Sequence, residues 1–143
     1  MTLLRAALVG FAAGVLSVLV FHQGTVALLH AAGLVANPPF RLNPVPPLGV
    51  PQLASMAFWG GVWGSGLGLF LASTRRRWPP LLAGLLMGIC CSLVGFTVVA
   101  ALREQPLMAG FDTGRWWRSL VINGAFGWGT GLLLLAARRG LRG

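Results

Sequence analysis

Charged residues are scarce in this sequence, and the missing ones argue against several classes of protein. Only 9% of the 143 residues are charged, lysine is absent, and Glu104 and Asp112 are the two acids. No Asp, Glu, Lys or Arg lies in the middle of an apolar stretch, which argues against a proton-coupled antiporter with a buried carboxylate. No nucleophile–base–acid set, metal-ligand cluster, Walker motif or dinucleotide fingerprint is present. The sequence therefore gives no case for an enzyme and predicts no metal site.

Cysteine is nearly absent too. The two cysteines, Cys90 and Cys91, are adjacent in the third apolar stretch. Neighbouring side chains on a helix point about 100° apart, so these two are poorly placed to bridge each other. We interpret them as small helix-packing residues rather than as a redox site.

Apolar residues are abundant, and they are grouped between the arginines. The composition is 56% hydrophobic with a mean hydropathy of +0.79, as in integral membrane proteins. The stretches without a formal charge are Ala6–Phe40, Leu42–Thr74, Trp78–Leu102 and Ser119–Ala137. Each can supply the roughly 20 residues that cross about 30 Å of hydrocarbon. We predict an all-α polytopic membrane protein, with residues 1–143 forming a single transmembrane domain of four helices.

Prolines help to set the bounds of the predicted spans, because proline cannot continue a helix. The spans are expected at about 6–30, 53–74, 80–102 and 117–137, with outer loops at 33–51 and 103–116. The first apolar run exceeds the roughly 7–15 residues of a signal-peptide core, so we expect the first helix to be retained.

The arginines predict the orientation. With four spans both termini lie on one side, together with Arg5, Arg75, Arg76, Arg77, Arg138, Arg139 and Arg142. The other side has Arg41, Arg103, Arg115 and Arg118 and both acids. The positive-inside rule therefore places both termini in the cytoplasm. A net charge of +9 suggests nucleic acid in a soluble protein, but arginines at the ends of apolar segments indicate membrane topology instead, and we predict no nucleic-acid partner.

Glycines spaced four apart occur in every predicted span. Such pairs lie on one helix face and let a second backbone come close. The predicted helix-packing residues are Gly10, Gly14, Gly60, Gly64, Gly68, Gly84, Gly88, Gly127 and Gly131. We expect them to pack within one chain rather than between chains.

The spans also show a pattern of internal similarity. Trp63-Gly64-Ser65-Gly66-Leu67 matches Trp128-Gly129-Thr130-Gly131-Leu132, and Gly10-x3-Gly14 matches Gly84-x3-Gly88. One interpretation is a duplication that gives two hairpins related by an axis along the membrane normal, a 2+2 parallel repeat. The other is chance, because glycine-rich spans resemble one another.

A few polar side chains lie in or beside the outer halves of the spans, and they are the candidate ligand-binding residues: His22, Gln23, His30, Gln52 and Asn123. With Thr25, all but His30 are expected to form one polar cluster beneath the proline-rich first loop. His22 has three functional interpretations: a proton relay, a ligand to haem or to a chlorophyll magnesium, or a hydrogen bond to a quinone. The alternative, which we favour, is a structural histidine bonded to a neighbouring helix or to the loop.

Three phrases carry a resemblance to a known group. Phe21-His22-Gln23, Pro46-Pro47-Leu48-Gly49-Val50-Pro51-Gln52 and Phe58-Trp59-Gly60-Gly61-Val62-Trp63-Gly64 resemble a family of small, uncharacterised bacterial membrane proteins. The resemblance implies a bacterial inner membrane and four spans, and it brings no known activity.

Much packing surface and little chemistry favour one hypothesis about function. We expect a structural or accessory subunit of a larger membrane complex, respiratory or photosynthetic, whose partners are the lipid bilayer and other membrane subunits or further copies of itself. The alternatives are a small-solute channel or transporter, and a pigment, haem or quinone binder that uses His22. The sequence leaves the identity of any cofactor open.

Overall fold

The computed structural model describes residues 2–74 and 78–140, apart from the side chains of residues 139 and 140. Some of the arginines from which the orientation was predicted lie outside the described residues. They are Arg75, Arg76, Arg77 and Arg142, together with the side chain of Arg139. Within the described residues the protein is built from four long helices, which confirms the predicted all-α class.

The helices are α1 (Leu3–Ala31), α2 (Gln52–Ser73), α3 (Pro80–Leu102) and α4 (Thr113–Gly140). A π-helical turn interrupts α1 at Val18–His22 and another interrupts α3 at Gly95–Val99. Between α1 and α2, the strands β1 (Pro44–Val45) and β2 (Val50–Pro51) pair antiparallel as a short ribbon. The structure thus has the predicted succession of long helices with a structured first loop.

Two helices begin earlier than the sequence predicts, because a side chain caps each of them. The Thr2 hydroxyl accepts a hydrogen bond from the Arg5 amide at 3.3 Å, so α1 begins at Leu3. Asp112 Oδ1 accepts from the amides of Gly114 at 2.8 Å and Arg115 at 3.2 Å. As a result α4 begins at Thr113, ahead of the expected Trp117.

Among the described helices, α1, α3 and α4 are long and apolar enough to cross a membrane. Helix α2 is 22 residues long but is not among them. Its interior is rich in glycine, serine and tryptophan, as in the run from Trp59 to Gly68. These residues contribute little hydropathy, although the same helix also exposes apolar side chains such as Phe58, Val62 and Phe70.

The helices pair into two hairpins, α1 with α2 and α3 with α4. Each pair meets at backbone distance. A Cβ built on Gly64 would overlap the carbonyl oxygen of Gly10, and one on Gly14 would overlap that of Gly60. In the second hairpin a Cβ on Gly84 would overlap the carbonyl oxygen of Gly127. Only residues without a side chain allow backbones to approach this closely.

The two hairpins repeat one set of contacts. In the first hairpin Gly10 contacts Gly64, and Ala6 contacts Gly68. The corresponding contacts of the second hairpin are Gly84 with Gly127 and Pro80 with Gly131. Gly61 lies on the Phe11 ring, and Gly124 lies on the Leu85 side chain. On α2 and α4 this pairs Gly61-x2-Gly64-x3-Gly68 with Gly124-x2-Gly127-x3-Gly131.

The sequence match between Trp63–Leu67 and Trp128–Leu132 does not agree with this structural correspondence. Gly64 contacts α1 of its own hairpin, whereas a Cβ on Gly129 would overlap the ring of Phe21 in the other hairpin. Gly66 has no neighbour within 4 Å for a Cβ, while Gly131 lies against Pro80. The sequence match therefore aligns residues that have different surroundings. It is displaced by two residues from the alignment that the contacts give, in which Gly64 corresponds to Gly127.

One seam between α1 and α4 joins the hairpins. The buried Ser17 hydroxyl donates to the carbonyl of Phe126 at 2.6 Å. The Phe21 ring lies on Gly129 and packs edge-to-face against Trp128, with ring centroids 6.0 Å apart. Helices α2 and α3 touch only slightly, so the spatial order is α2–α1–α4–α3. The core cluster along this row is Ala13, Val18, Leu67, Ala83, Met87, Phe126 and Leu134.

The glycine contact gives a matched pair of variants. We expect Gly64→Ala to lower the free energy of unfolding by about 1–3 kcal/mol, because the new methyl group overlaps the α1 backbone. Gly66→Ala, two residues away on the open side of the same helix, is expected to leave it unchanged or to raise it by up to about 1 kcal/mol, because alanine is the better helix former. Unfolding of the detergent-solubilised protein would measure both. Equal effects of the two variants would contradict the close packing.

Candidate functional site

Gln23 is the most buried of the candidate residues, with 2% of its surface exposed. Its side-chain Oε1 accepts a hydrogen bond from the Phe40 amide at 2.6 Å. Its Nε2 lies 3.1 Å from His22 Nδ1 and 3.9 Å from the Met56 sulfur. Gln23 thereby connects α1 to α2 and to the first loop. Its donor, Nε2, and its acceptor, Oε1, are both engaged by the protein itself.

The other candidates of the first hairpin have local roles. His22 is half-buried in the π turn, and Nδ1 of its ring is bonded to Gln23. His30 is exposed, and its Nδ1 lies 2.9 Å from the carbonyl oxygen of Val35 just past the helix end. Thr25 donates to the Phe21 carbonyl at 2.7 Å. Across residues 2–74 and 78–140, no three His, Cys, Asp or Glu side chains come together.

Gln52 lies at the start of α2 and contributes through its backbone. Its amide donates to the Asn43 carbonyl at 2.9 Å, and the next amide, of Leu53, donates to the Arg41 carbonyl at 3.0 Å. The Gln52 side chain has no hydrogen-bond partner among the described residues. The first loop is therefore fastened to the top of α2 by backbone bonds and to α1 by Gln23.

Asn123 belongs to a different cluster, between α3 and α4. Its Nδ2 donates to Ser92 Oγ at 3.1 Å and to Ser119 Oγ at 3.2 Å. Ser119 donates to Ser92 Oγ at 3.0 Å, and Ser92 donates back to the Ser119 carbonyl at 3.1 Å. The structure thus divides the predicted polar cluster, with Gln23 and His22 in one hairpin and Asn123 in the other.

A cavity of about 600 Å³ lies beside the Asn123 cluster; we call it the outer cavity. Helices α3 and α4 line it with Ser92, Gly95, Phe96, Ala100, Ser119 and Asn123, among others. The loop between the two helices adds Gln105, Pro106 and Ala109, and Arg115 lines it from the first turn of α4. Its volume is in the range of small-molecule sites.

The loop that covers the outer cavity has an unusual backbone. Met108, Ala109 and Gly110 have φ angles of 51°, 55° and 65°, which form a left-handed turn. Residues other than glycine rarely adopt this conformation, so the turn needs anchors. The Trp116 indole supplies one, because its Nε1 donates to the Met108 carbonyl at 2.7 Å. The loop wall of the cavity is thereby tied to the first turn of α4.

Of the residues that line the outer cavity, Asn123 alone was a sequence candidate, and Ser92, Ser119 and Arg115 are among those that were missed. Ser119 precedes Asn123 by four residues, so both lie on one face of α4, and that spacing was a usable signal. Ser92 is a single small residue in an apolar run, and nothing local distinguishes it. Arg115 was counted only as a topology signal.

No protein-family model matches the sequence, and no curated protein or solved structure is significantly similar to it. The resemblance to small bacterial membrane proteins therefore stays a prediction.

The Gln23 contact predicts a change in the first loop. In Gln23→Leu the Phe40 amide loses its acceptor, so we expect the outer loop to loosen and trypsin to cleave faster after Arg41. Gln52→Leu is the matched control, because that side chain has no described hydrogen bond, and its cleavage rate should equal that of the unaltered protein. Timed proteolysis with mass spectrometry gives both rates, and equal rates for the two variants would rule out the Gln23 anchor.

Proposed function

We propose that the protein is a structural subunit of a larger membrane complex, in a bacterial inner membrane, and that α2 is the helix that meets its partner. The observation that carries this proposal is the place of α2 at the end of the row α2–α1–α4–α3. An end helix has one side away from its own chain. The side of α2 that faces away from the chain exposes the aromatic rings of Phe58, Trp59 and Phe70. Aromatic side chains of this kind are typical anchors of protein interfaces.

The use made of polar side chains supports a structural role. The buried polar side chains are Ser17, Gln23, Ser92 and Thr130. Each bonds to the protein itself, and no fully buried side-chain nitrogen or oxygen in the described residues lacks a partner. In a membrane such bonds hold helices together. Polar groups that are engaged in this way are not free for transport or catalysis.

We also propose that all four helices cross the membrane, with both termini in the cytoplasm. At ~1.5 Å per residue, the 22 residues of α2 extend for about 33 Å, enough for a hydrocarbon core of about 30 Å. Helix α2 runs beside α1 from Gly60 to Gly68, so the two have the same depth. The distribution of arginines supports the direction of crossing.

The repeated contacts support a duplication. Both outward helices and both inward helices use corresponding residues, from Gly10 and Gly84 to Gly68 and Gly131. If all four helices cross, the hairpins have the same sense in the membrane, so their axis runs along the membrane normal. Matched partners at several successive positions favour duplication over chance similarity of glycine-rich sequences.

A channel or transporter would need a continuous polar path. The described polar groups instead form two clusters, one around Gln23 in the first hairpin and one around Asn123 in the second. His22, the residue on which the pigment, haem or quinone alternative depends, has one ring nitrogen engaged by Gln23. No described contact favours either alternative over the structural role.

Cysteine labelling tests the crossing of α2. In a background with Cys90→Ser and Cys91→Ser, we expect Leu48→Cys to react with an impermeant maleimide from outside. Thr74→Cys and Thr2→Cys should react only in inverted vesicles, because α2 places Thr74 on the side of the N-terminus. Labelling of Leu48→Cys and Thr74→Cys from the same side would contradict four crossings.

Site-specific photo-crosslinking tests the partner surface. A benzoylphenylalanine placed at Trp59, exposed on α2, is expected to crosslink to another protein in native membranes. The same group at Leu86, exposed on α3, is the matched control and should react mainly with lipid. Crosslinked products are identified by mass spectrometry. If the protein migrates alone and neither position captures a protein, the subunit proposal is wrong.

A further inference from the structure

The outer cavity has features of a binding site that the structural role does not use. We propose that it binds a phosphate ester that carries free hydroxyl groups, either as the headgroup of a lipid such as phosphatidylglycerol or as a soluble polyol phosphate. Where the ligand is a lipid, the inference rests on the membrane orientation proposed above. The site combines a cation, an unpaired acceptor and an apolar wall.

Arg115 supplies the cation. Its described ion pair joins Nε to Asp112 Oδ2 at 3.5 Å, a long contact, and its side chain is 64% exposed. The two terminal nitrogens have no partner in the described part of the chain. A guanidinium offers paired N–H donors whose geometry matches phosphate oxygens. Arg115 lines the cavity at the outer end of α4, where a lipid headgroup would lie.

Asn123 supplies the acceptor. Its Nδ2 donates to the Ser92–Ser119 pair, whose hydroxyl oxygens both lie within hydrogen-bond distance. Its Oδ1 receives no hydrogen bond from any described residue, and it is not a fully buried orphan atom. Because Asn123 lines the cavity, this oxygen is the acceptor that the residue can offer to a ligand there. A ligand that binds there has to donate an O–H or N–H to this oxygen, and a polyol headgroup does so.

Helix α3 supplies the apolar wall. Gly95, Phe96 and Ala100 line the cavity on the side of its π turn. This helix lies at the other end of the row from α2, and its outer turns expose Val98, Val99 and Leu102. Acyl chains would lie along these residues while the headgroup enters the cavity. The site thus has a polar inner part, a cationic rim and an apolar side open to lipid.

Native mass spectrometry of the delipidated, detergent-solubilised full chain tests the cation. We expect dioleoyl phosphatidylglycerol to bind at least about tenfold more tightly than dioleoyl phosphatidylcholine. Arg115→Gln should weaken the phosphatidylglycerol complex about tenfold, the usual effect of losing a charge-assisted hydrogen bond. Arg118→Gln is the matched control. Its guanidinium lies over the Trp117 ring, 5.8 Å from the centroid, and it does not line the cavity, so binding should be unchanged.

A second pair of variants tests the cavity itself. A Cβ on Gly95 has no neighbour within 4 Å, so Gly95→Leu fills the outer cavity without a clash. We expect it to reduce binding at least about tenfold while the unfolding temperature is retained. Gly66→Leu adds the same side chain at an equally open position on α2, outside the cavity, and should bind like the unaltered protein.

Soluble glycerol 3-phosphate distinguishes the two sources. If it displaces the labelled lipid at comparable concentrations, the ligand is the polyol phosphate itself; if it does not, the ligand is the lipid. Equal binding of phosphatidylglycerol and phosphatidylcholine, or full binding by Gly95→Leu, would overturn the site. Binding in detergent does not depend on orientation or on a protein partner. Failure of this site is therefore distinct from failure of the labelling and crosslinking tests above.

Discussion

The contact of glycine backbones inside each hairpin is the constraint on which the rest of the structure depends. In lipid, apolar side chains gain little by meeting one another, so helices associate where their backbones fit closely. Gly10 with Gly64, and Gly84 with Gly127, provide that fit, and the contact recurs a turn away in each direction. Because a methyl group at these positions would overlap a carbonyl oxygen, the two helices of a hairpin cannot shift past each other without separating.

Two tight hairpins and one looser seam explain the open row of helices. Between hairpins the contacts are made by side chains, with the Ser17 hydroxyl on the Phe126 carbonyl and the Phe21 ring on Gly129. Such a seam joins α1 to α4 and leaves α2 and α3 at the two ends. The two ends differ in their exposed side chains, because α2 exposes the rings of Phe58, Trp59 and Phe70, whereas the large residues exposed on α3 are leucine and valine. The partner surface and the lipid site proposed above follow from that difference.

The glycine spacing predicted which helix faces pack, because the property that matters, the absence of a side chain, is local to each residue. The partners were harder to predict. The match between Trp63–Leu67 and Trp128–Leu132 suggested an alignment of the hairpins that differs by two residues from the one that the contacts give. Gly129 packs against Phe21, which is distant in sequence, so the local pattern does not reveal its surroundings. Counting residues predicted the positions of Gln23 and Asn123 along their helices. Their separation into two clusters depends on the spatial order of the helices, which no pattern in a single helix contains.

The two hairpins share a frame but differ in chemistry at one pair of positions. In the first hairpin a Cβ on Gly60 would overlap the Val18 side chain and approach Phe126 across the seam. A side chain at Gly60 would require Val18 of α1 to move. The corresponding residues of the second hairpin are Asn123 and Ser92, which hydrogen-bond to each other. Since α3 lies at the end of the row, this position has room for an amide and for the outer cavity beside it. A ligand is therefore expected to bind in the second hairpin, at Asn123 and Ser92. Among the described residues, no helix of the first hairpin packs over that position.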